Sequence, residues 1–153
     1  MVNSIYHIPM MKPSPPGWPR LSSAIFYRDP LAAIAWLERA FGFETRTKIV
    51  GADGSIEHSE LTFGEAVIMV GSVTRGNMRA SPRMVDGLNT QGLLIYVDDL
   101  ERHFSRARDA GAKILNKPAL TDHGPEYWAD RLYEAEDCEG HRWWFAERLR
   151  TGK

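Results

Sequence analysis

Two side chains on one short segment have the spacing of a metal-binding or acid–base pair. His58 and Glu60 are two residues apart in a predicted strand, so both side chains point to the same face of it. His141, in a later hairpin, and Gln91, before another strand, are weaker candidate ligands. A polar outer face is routine on a strand, so a solvated or hydrogen-bonded His58–Glu60 pair is the alternative to a metal site.

A second concentration of reactive and aromatic side chains lies between Thr121 and Arg131. His123, beside Asp122, could transfer protons, although a histidine in a loop is usually only solvated. Arg131 could hold a ligand carboxylate or phosphate with two hydrogen bonds, or pair with a nearby acidic side chain. Trp128 is costly to expose, so this loop is expected to cover the mouth of a cleft or to pack against a second subunit.

Aromatic side chains on the predicted strands favour a pocket for a flat or partly apolar molecule. Trp143 and Trp144 are adjacent, so one is expected to enter the cleft while the other packs under a helix. Packing in the core is the alternative for each aromatic residue. The predicted ligand-binding residues are Tyr27, Tyr96, Trp128, Trp144, Arg131 and Met69.

Composition excludes several classes of function. Nineteen basic and twenty acidic residues leave a net charge of −1, without the basic excess typical of nucleic-acid binding. The single cysteine, Cys138, permits no disulfide within the chain and fits a reducing compartment. No apolar run approaches the ~20 residues of a membrane helix, and the N-terminus lacks the apolar core of a signal peptide. We therefore expect a cytoplasmic protein that binds neither nucleic acid nor membrane.

The predicted elements that position these side chains begin after a proline-rich arm, residues 1–20. A first unit, residues 21–71, starts with a short apolar strand, and Asp29 followed by Pro30 predicts the start of a helix. Gly42 is expected to end that helix, and three strands follow before a polar linker at residues 72–90.

A second unit, residues 91–150, repeats this order. A strand at 93–97 precedes a helix capped by Asp98 or Asp99, and a short strand at 112–115 is expected to end before Pro118. A loop to about residue 130 and a hairpin of strands at 131–136 and 142–145 complete the unit. A gapless shift of 69 residues aligns five identical pairs. These are Tyr27 with Tyr96, Asp29 with Asp98, Leu31 with Leu100, Arg39 with Arg108 and Gly42 with Gly111.

Two βαβββ units in tandem resemble the glyoxalase, bleomycin-resistance and extradiol-dioxygenase superfamily, also called vicinal oxygen chelate proteins. The phrases that carry the resemblance are Phe26–Pro30, Trp36–Phe43, Tyr96–Leu100 and Gly140–Phe145. The resemblance implies an α+β fold in which the two units form an incomplete barrel with a central cleft, and it implies a homodimer. Because members use that cleft for different tasks, the resemblance does not decide the function.

The resemblance also places metal ligands near the start of the first strand and on the last strand of each unit. Here those positions offer Ser22 or Ser23, Gln91 or Gly92, and two apolar segments at 68–70 and 143–145. A divalent ion needs several anionic or imidazole ligands, so we expect no metal and no other cofactor.

Three functions remain open from the sequence. The first is a metal-free protein that binds a small aromatic or amphipathic molecule in its cleft. The second is an enzyme of the same superfamily, a lyase, isomerase or dioxygenase, with a displaced metal site at His58, Glu60 or His141. The third is a dimeric interaction module built on the aromatic loop and the proline arm.

Overall fold

The computed structural model describes residues 11–74 and 78–152 and has the predicted α+β architecture. Each half of the chain is one strand, one helix and three further strands, so the tandem βαβββ prediction is confirmed. Neither helix within the described residues is long and apolar enough to cross a membrane. The elements are β1 Ser23–Tyr27, α1 Pro30–Phe41, β2 Glu44–Val50, β3 Ile56–Phe63, β4 Ala66–Ser72, β5 Leu93–Tyr96, α2 Leu100–Asp109, β6 Lys113–Asp122, β7 Ala129–Glu136 and β8 Arg142–Arg150.

The local signals at the helix ends are those that the sequence indicates. Asp29 accepts a hydrogen bond from the Ala32 amide, and Pro30 occupies the first turn of α1, where no amide donor is needed. Gly42 ends α1 in the left-handed conformation, with φ of 81°. Asp99 caps α2 by accepting a hydrogen bond from the Arg102 amide.

The strands form two separate open sheets, in the orders β1-β4-β3-β2 and β5-β8-β7-β6. In each sheet the first strand of the unit runs parallel to the last, and the other pairs are antiparallel. One face of each sheet packs on the helices, and we call the opposite face the outer face. Open sheets fit the incomplete barrel that the resemblance implies.

The caps show that the two units are related by 70 residues along these elements, not by 69. Asp29 and Asp99 hold the same position in their units, which makes Tyr27 equivalent to Val97 and Phe26 equivalent to Tyr96. Tyr27 and Val97 are both buried, whereas Tyr96 is exposed. The gapless alignment therefore matched a core tyrosine with an outer-face tyrosine, a one-residue error that exchanges the two faces of a strand.

The helix-side faces of both sheets meet in one hydrophobic core. Asp137, in the β7–β8 hairpin, accepts hydrogen bonds from the Tyr27 hydroxyl at 2.7 Å and from Trp143 Nε1 at 3.1 Å. Its other oxygen accepts the backbone amides of Glu139 and His141, so the buried carboxylate is fully bonded. Burial and the Asp137 carboxylate raise the pKa of the Tyr27 phenol well above its usual value. This hairpin therefore fixes the second unit to the first.

The edge strand β6 is longer than the sequence predicts. It continues past Pro118 to Asp122, where the expectation was a strand ending before the proline and a loop to about residue 130. Register shifts lie between Ile114 and Asn116 and between Asn116 and Ala119. Because β6 is at the edge of its sheet, a proline beside a register shift removes no essential hydrogen bond.

The proline arm is described from residue 11 onwards, and residues 11–22 form neither helix nor strand. Trp18 lies against β2, with the Arg46 guanidinium 4.9 Å from its ring centre. The first ten residues of the predicted arm lie outside the described residues.

Candidate functional site

The outer face of the second sheet carries the exposed aromatic and apolar side chains expected of a binding surface. Strand register places its residues in successive rows. Tyr96 and Leu94 are 47% and 53% exposed, although each is a large side chain on a sheet. We define the aromatic face as the row Leu94, Trp144 and Glu134, the row Tyr96, Ala146 and Leu132, and the row Arg148 and Asp130.

The Trp144 ring lies close against Gly92, just before the start of β5, because Gly92 has no side chain there. A Cβ at Gly92 would stand 1.8 Å from Cζ3 of the Trp144 ring, well inside van der Waals contact. Its neighbour Trp143 faces the other way and is fully buried. The two tryptophans therefore lie on opposite faces of β8, with Trp143 in the core, while a ligand-binding role for Trp144 stays a prediction.

Asp130, Arg148 and Tyr96 form a fixed polar group at one end of the aromatic face. Arg148 donates to both Asp130 and the Tyr96 hydroxyl, and its guanidinium lies 4.9 Å from the centre of the Tyr96 ring. The Tyr96 hydroxyl donates to Asp130 at 3.0 Å. Burial and the neighbouring Asp130 raise the pKa of Tyr96, and the hydrogen bond to Asp130 raises the pKa of Arg148. Both side chains therefore stay protonated at neutral pH.

A second buried carboxylate, Glu134, lies beside Trp144 on the aromatic face. It accepts a hydrogen bond from Asn116 Nδ2 at 2.6 Å and pairs with Arg142 Nε at 3.0 Å. Arg142 comes from the same strand as Arg148. Each end of the aromatic face thus has an arginine of β8 held by a carboxylate of β7.

A cavity of about 590 Å³ lies between the units, on the outer side of β1. Phe26 and the linker residue Arg79 form one wall, with the guanidinium 4.6 Å from the ring centre. His141 of the second unit lines the cavity and bonds the Phe26 carbonyl through Nε2 at 3.0 Å. Gln91, which comes immediately before Gly92 in the chain, also lines the cavity.

The loop predicted to cover a cleft is a turn at residues 123–128, which joins the end of β6 to the start of β7. Trp128 and Tyr127 are exposed, and the His123 ring lies 4.8 Å from the Trp128 ring. Asp122 is bonded by Arg150 and by the Gly124 amide, which lower the pKa of its carboxyl group. Arg150 and Gly124 occupy this carboxylate, and among the described residues no hydrogen bond joins it to the His123 ring, as a catalytic pair would require.

Four of the six predicted ligand residues lie on an outer face or at the end of the second sheet, and two do not. Tyr96 and Trp144 lie on the aromatic face, Trp128 lies at the end of the same sheet, and Met69 lies on the outer face of the first sheet. Tyr27 is fully buried in the core. Arg131 lies on the helix side of β7 and pairs with Glu101 of α2. Neither Tyr27 nor Arg131 therefore lies on the aromatic face.

The chain's own residues do not fit the metal site that the resemblance implies. The 70-residue relation places Ser22 and Gly92 at equivalent points before the first strands, and Met69 and Trp144 lie on the last strands. Ser22 Oγ is buried without a hydrogen-bond partner, but a lone hydroxyl is a poor ligand. Trp144 fills the space beside Gly92 with an indole ring. Hydroxyl, thioether and indole groups at these positions do not supply the several anionic or imidazole ligands that a divalent ion needs.

The candidate displaced site at His58 and Glu60 is an ion-pair cluster. His58 Nε2 lies 2.8 Å from Glu60 Oε1, while Arg46 and Thr47 donate to the other carboxylate oxygen. Hydrogen bonds from His58 and Arg46 hold the pKa of Glu60 below its ordinary value. Within the described residues, no group of three or more His, Cys, Asp or Glu side chains is placed to hold a metal ion.

The sequence reasoning missed Asp130, Glu134 and Arg148 as parts of the site. The hairpin strand was expected to end at residue 145, whereas β8 continues to Arg150. Alternation along the longer strand, from Arg142 through Trp144 to Arg148, would have placed both arginines on the face of Trp144.

Comparison with known proteins identifies the family. The Glyoxalase/Bleomycin resistance protein/Dioxygenase superfamily matches residues 21–145, and the chain belongs to this superfamily. Comparison with curated proteins gives no match. Among solved structures, TioX from Micromonospora sp. ML1 is similar, with 29% identity over 84% of this chain and 98% of that chain and a TM-score of 0.66.

Two further structures are similar in fold. TnmS3, described as an antibiotic binding protein from Streptomyces sp. CB03234, is 14% identical over 83% of this chain and 93% of that chain, with a TM-score of 0.62. A glyoxalase/bleomycin resistance protein/dioxygenase family enzyme from Burkholderia phytofirmans PsJN is 20% identical over 84% of this chain and 97% of that chain, with a TM-score of 0.58. The fold therefore occurs in both a binding protein and an enzyme, and the site must decide between them.

Proposed function

We propose that this protein binds a small aromatic or amphipathic molecule on the aromatic face and works without a metal. The observation that carries the proposal is Trp144, whose indole ring lies on the outer face in close contact with Gly92, while Leu94 and Tyr96 are exposed on the neighbouring strand. A planar molecule can stack on the indole and bury the neighbouring apolar side chains. The antibiotic-binding description of TnmS3 supports binding as a use of this fold.

A role in binding is also supported by the state of the polar groups. Asp130 and Glu134 are each held by an arginine, and Glu60 is held by Arg46. These ion pairs engage the carboxylates of the face, which supports a role for its polar groups in orienting a ligand.

A second copy of the chain is proposed to complete the site. The helix-side faces of the two sheets share one core, so their outer faces point away from it and do not cover each other. A ligand on an open sheet would leave much of its surface in water, whereas binding pockets usually bury 70–90% of it. A homodimer that covers the aromatic face would close the pocket.

We also propose a cytoplasmic location, in keeping with the single cysteine of the chain.

Ligand binding tests the proposal through tryptophan fluorescence. A panel of planar aromatic compounds is expected to quench the wild-type protein both with and without a chelator. Trp144→Ala should abolish binding, whereas Trp128→Ala, which changes a tryptophan off the face, should leave the affinity within about twofold. Binding that depends on added metal, or that survives in Trp144→Ala, would contradict the proposal.

Sedimentation tests the dimer separately. The wild-type protein is expected to sediment as a dimer at micromolar concentration, and Leu94→Asp should shift it towards monomer because it places a charge in an apolar interface. A clean monomer across the accessible concentration range would exclude a partner subunit as the cover of the site.

A further inference from the structure

The cavity between the units has a positively charged lining. Its volume of about 590 Å³ is typical of sites that hold small organic molecules. Among the described residues that line it, Arg79 carries a permanent charge, His141 is the one other basic side chain, and none is Asp or Glu. An anion that enters this cavity therefore meets a cation and no like charge from its walls.

Arg79 is restrained by a ring, while its hydrogen-bond donors are free. Its guanidinium lies over the Phe26 ring, 4.6 Å from the ring centre. No hydrogen bond or ion pair within residues 11–74 and 78–152 involves the Arg79 side chain. Contact with a ring leaves the N–H edge of a guanidinium open, so a carboxylate can still bind it with two hydrogen bonds. Because Phe26 already restricts the side chain, an anion has less of its freedom to remove on binding.

The remaining walls of the cavity are aliphatic. The Phe26 ring is engaged from two sides, by the Arg79 guanidinium and by Gly71, where a Cβ would stand 3.2 Å from the ring. The apolar residues that line the cavity from β1 and the linker include Ala24, Pro82, Val85 and Leu88. Val85 and Leu88 are exposed although each is a large apolar side chain. A hydrocarbon chain in the cavity would remove them from water.

The linker wall of the cavity is held by hydrogen bonds. Pro82–Met84 is a turn of 3₁₀ helix, and the Gly87 amide donates to the Pro82 carbonyl at 2.8 Å. Asn89 donates to the Gly140 carbonyl at 2.9 Å and accepts the Arg142 amide at 3.1 Å, which attaches the linker to the β7–β8 hairpin. The wall is therefore formed before a ligand binds, which reduces the cost of ordering it.

We propose that this cavity is a second binding site, for a small aliphatic carboxylate. The Arg79 guanidinium binds the carboxylate group, and the hydrocarbon chain packs against Val85 and Leu88. None of the described residues that define the aromatic face lines the cavity, so this inference does not rest on the proposed function.

Three probes of one chain length test the charge preference: octanoate, octanamide and octylammonium, titrated by calorimetry at low salt. We expect octanoate to bind about tenfold more tightly than octanamide, since a charge-assisted hydrogen bond is about twice as strong as a neutral one. Octylammonium should bind more weakly than octanamide because it meets the Arg79 guanidinium. The advantage of octanoate should decrease as salt is raised.

Substitutions identify the residues that hold the two ends of the probe. Arg79→Gln should reduce the preference for octanoate over octanamide to about twofold or less. Arg83→Gln is the matched control, because it removes the same charge from an exposed arginine of the linker that lines a different cavity, and the preference should remain about tenfold. Leu88→Ser removes apolar wall and should weaken octanoate and octanamide by the same factor, about threefold or more. Thermal unfolding of each variant verifies that it is folded.

Trp144→Ala separates this site from the aromatic face. The affinity for octanoate should stay within about twofold in this variant, because the two sites share no residue. Loss of octanoate binding in Trp144→Ala would place the carboxylate on the aromatic face and overturn the second site. Equal binding of octanoate and octanamide, or a tenfold preference that survives in Arg79→Gln, would overturn the role of Arg79. Absence of octanoate binding at millimolar concentration would overturn the inference as a whole.

Discussion

Replacing Gly92 with alanine tests the placement of Trp144 most sharply among the single changes. The new Cβ would lie 1.8, 2.5 and 2.9 Å from three atoms of the indole ring, so the ring must shift by roughly 1.6 Å to restore contact at about 3.4 Å. The backbone at Gly92 does not have the positive φ that disfavours alanine. The whole cost therefore comes from the clash with Trp144.

The expected effect of Gly92→Ala on the free energy of unfolding has opposite signs in the wild-type protein and in a Trp144→Ala background. In the wild-type protein, Gly92→Ala should lower the free energy of unfolding by about 1–3 kcal/mol, the usual cost of overpacking. In a Trp144→Ala background the clash is gone, and the same change should be neutral or stabilise by about 0.4–1 kcal/mol because it restricts the unfolded chain. The coupling free energy between the two positions is then roughly 1–4 kcal/mol.

Urea unfolding of the four proteins in this cycle measures the coupling, with ligand titration of the single variants beside it. Gly92→Ala is also expected to weaken binding of an aromatic ligand, because it displaces the Trp144 ring on which the ligand is proposed to stack. If Gly92→Ala costs the same free energy with and without Trp144, the ring does not occupy the space over Gly92 and the described site is wrong.

Three further predictions follow from groups away from the aromatic face. Asp137→Ala should lower the free energy of unfolding by about 3 kcal/mol or more, because it leaves the buried donors of Tyr27 and Trp143 unbonded. In urea unfolding, the control Asp109→Ala, which changes an exposed carboxylate, should alter the same quantity by less than about 0.5 kcal/mol. Burial lowers the pKa of His103, so below pH ~6.5 the unfolded chain binds more protons than the folded one. The stability that neutral His103 contributes is complete above that pH. As the pH falls below it, the free energy of unfolding decreases by up to about 1.4 kcal/mol per pH unit. Urea unfolding at pH 7.5 and pH 5.5 should show this loss in the wild-type protein and a smaller one in His103→Gln, and an equal loss in both would refute the assignment. Burial raises the pKa of the Cys138 thiol to about 12, so a thiol reagent at pH 8 should label the folded protein far more slowly than the urea-unfolded chain, and equal labelling rates would show that the thiol is accessible.

The helices and the tandem architecture were predictable because their signals are local. Asp29, Pro30 and Gly42 each act within one turn of helix, and the structure uses each as the sequence indicates. The longer β6 was not predictable in the same way. Whether a proline ends a strand depends on whether that strand lies at the edge of its sheet, which is a property of the assembled fold.

The face on which a strand side chain lies could not be predicted where it depended on the alignment of the two units. A gapless alignment made Tyr27 the partner of Tyr96, and the caps show that the true partner of Tyr96 is Phe26. Helix length differs between the units, with twelve residues in α1 and ten in α2, so no single shift aligns both ends. The partner of Arg131 could not be predicted from nearby residues, because its acceptor, Glu101, is thirty residues away on a helix.

The two adjacent tryptophans provide the most direct test of the central claim, that the outer face of the second sheet binds the ligand. Trp143 Nε1 is bonded to Asp137 in the core, whereas Trp144 lies on the outer face, so their indole N–H resonances report the two faces of one strand. Titration of ¹⁵N-labelled protein with 2-naphthoate should shift the Trp144 indole resonance and leave that of Trp143 nearly unmoved. A ligand that binds while the Trp144 resonance stays in place would show that the site lies elsewhere on the protein.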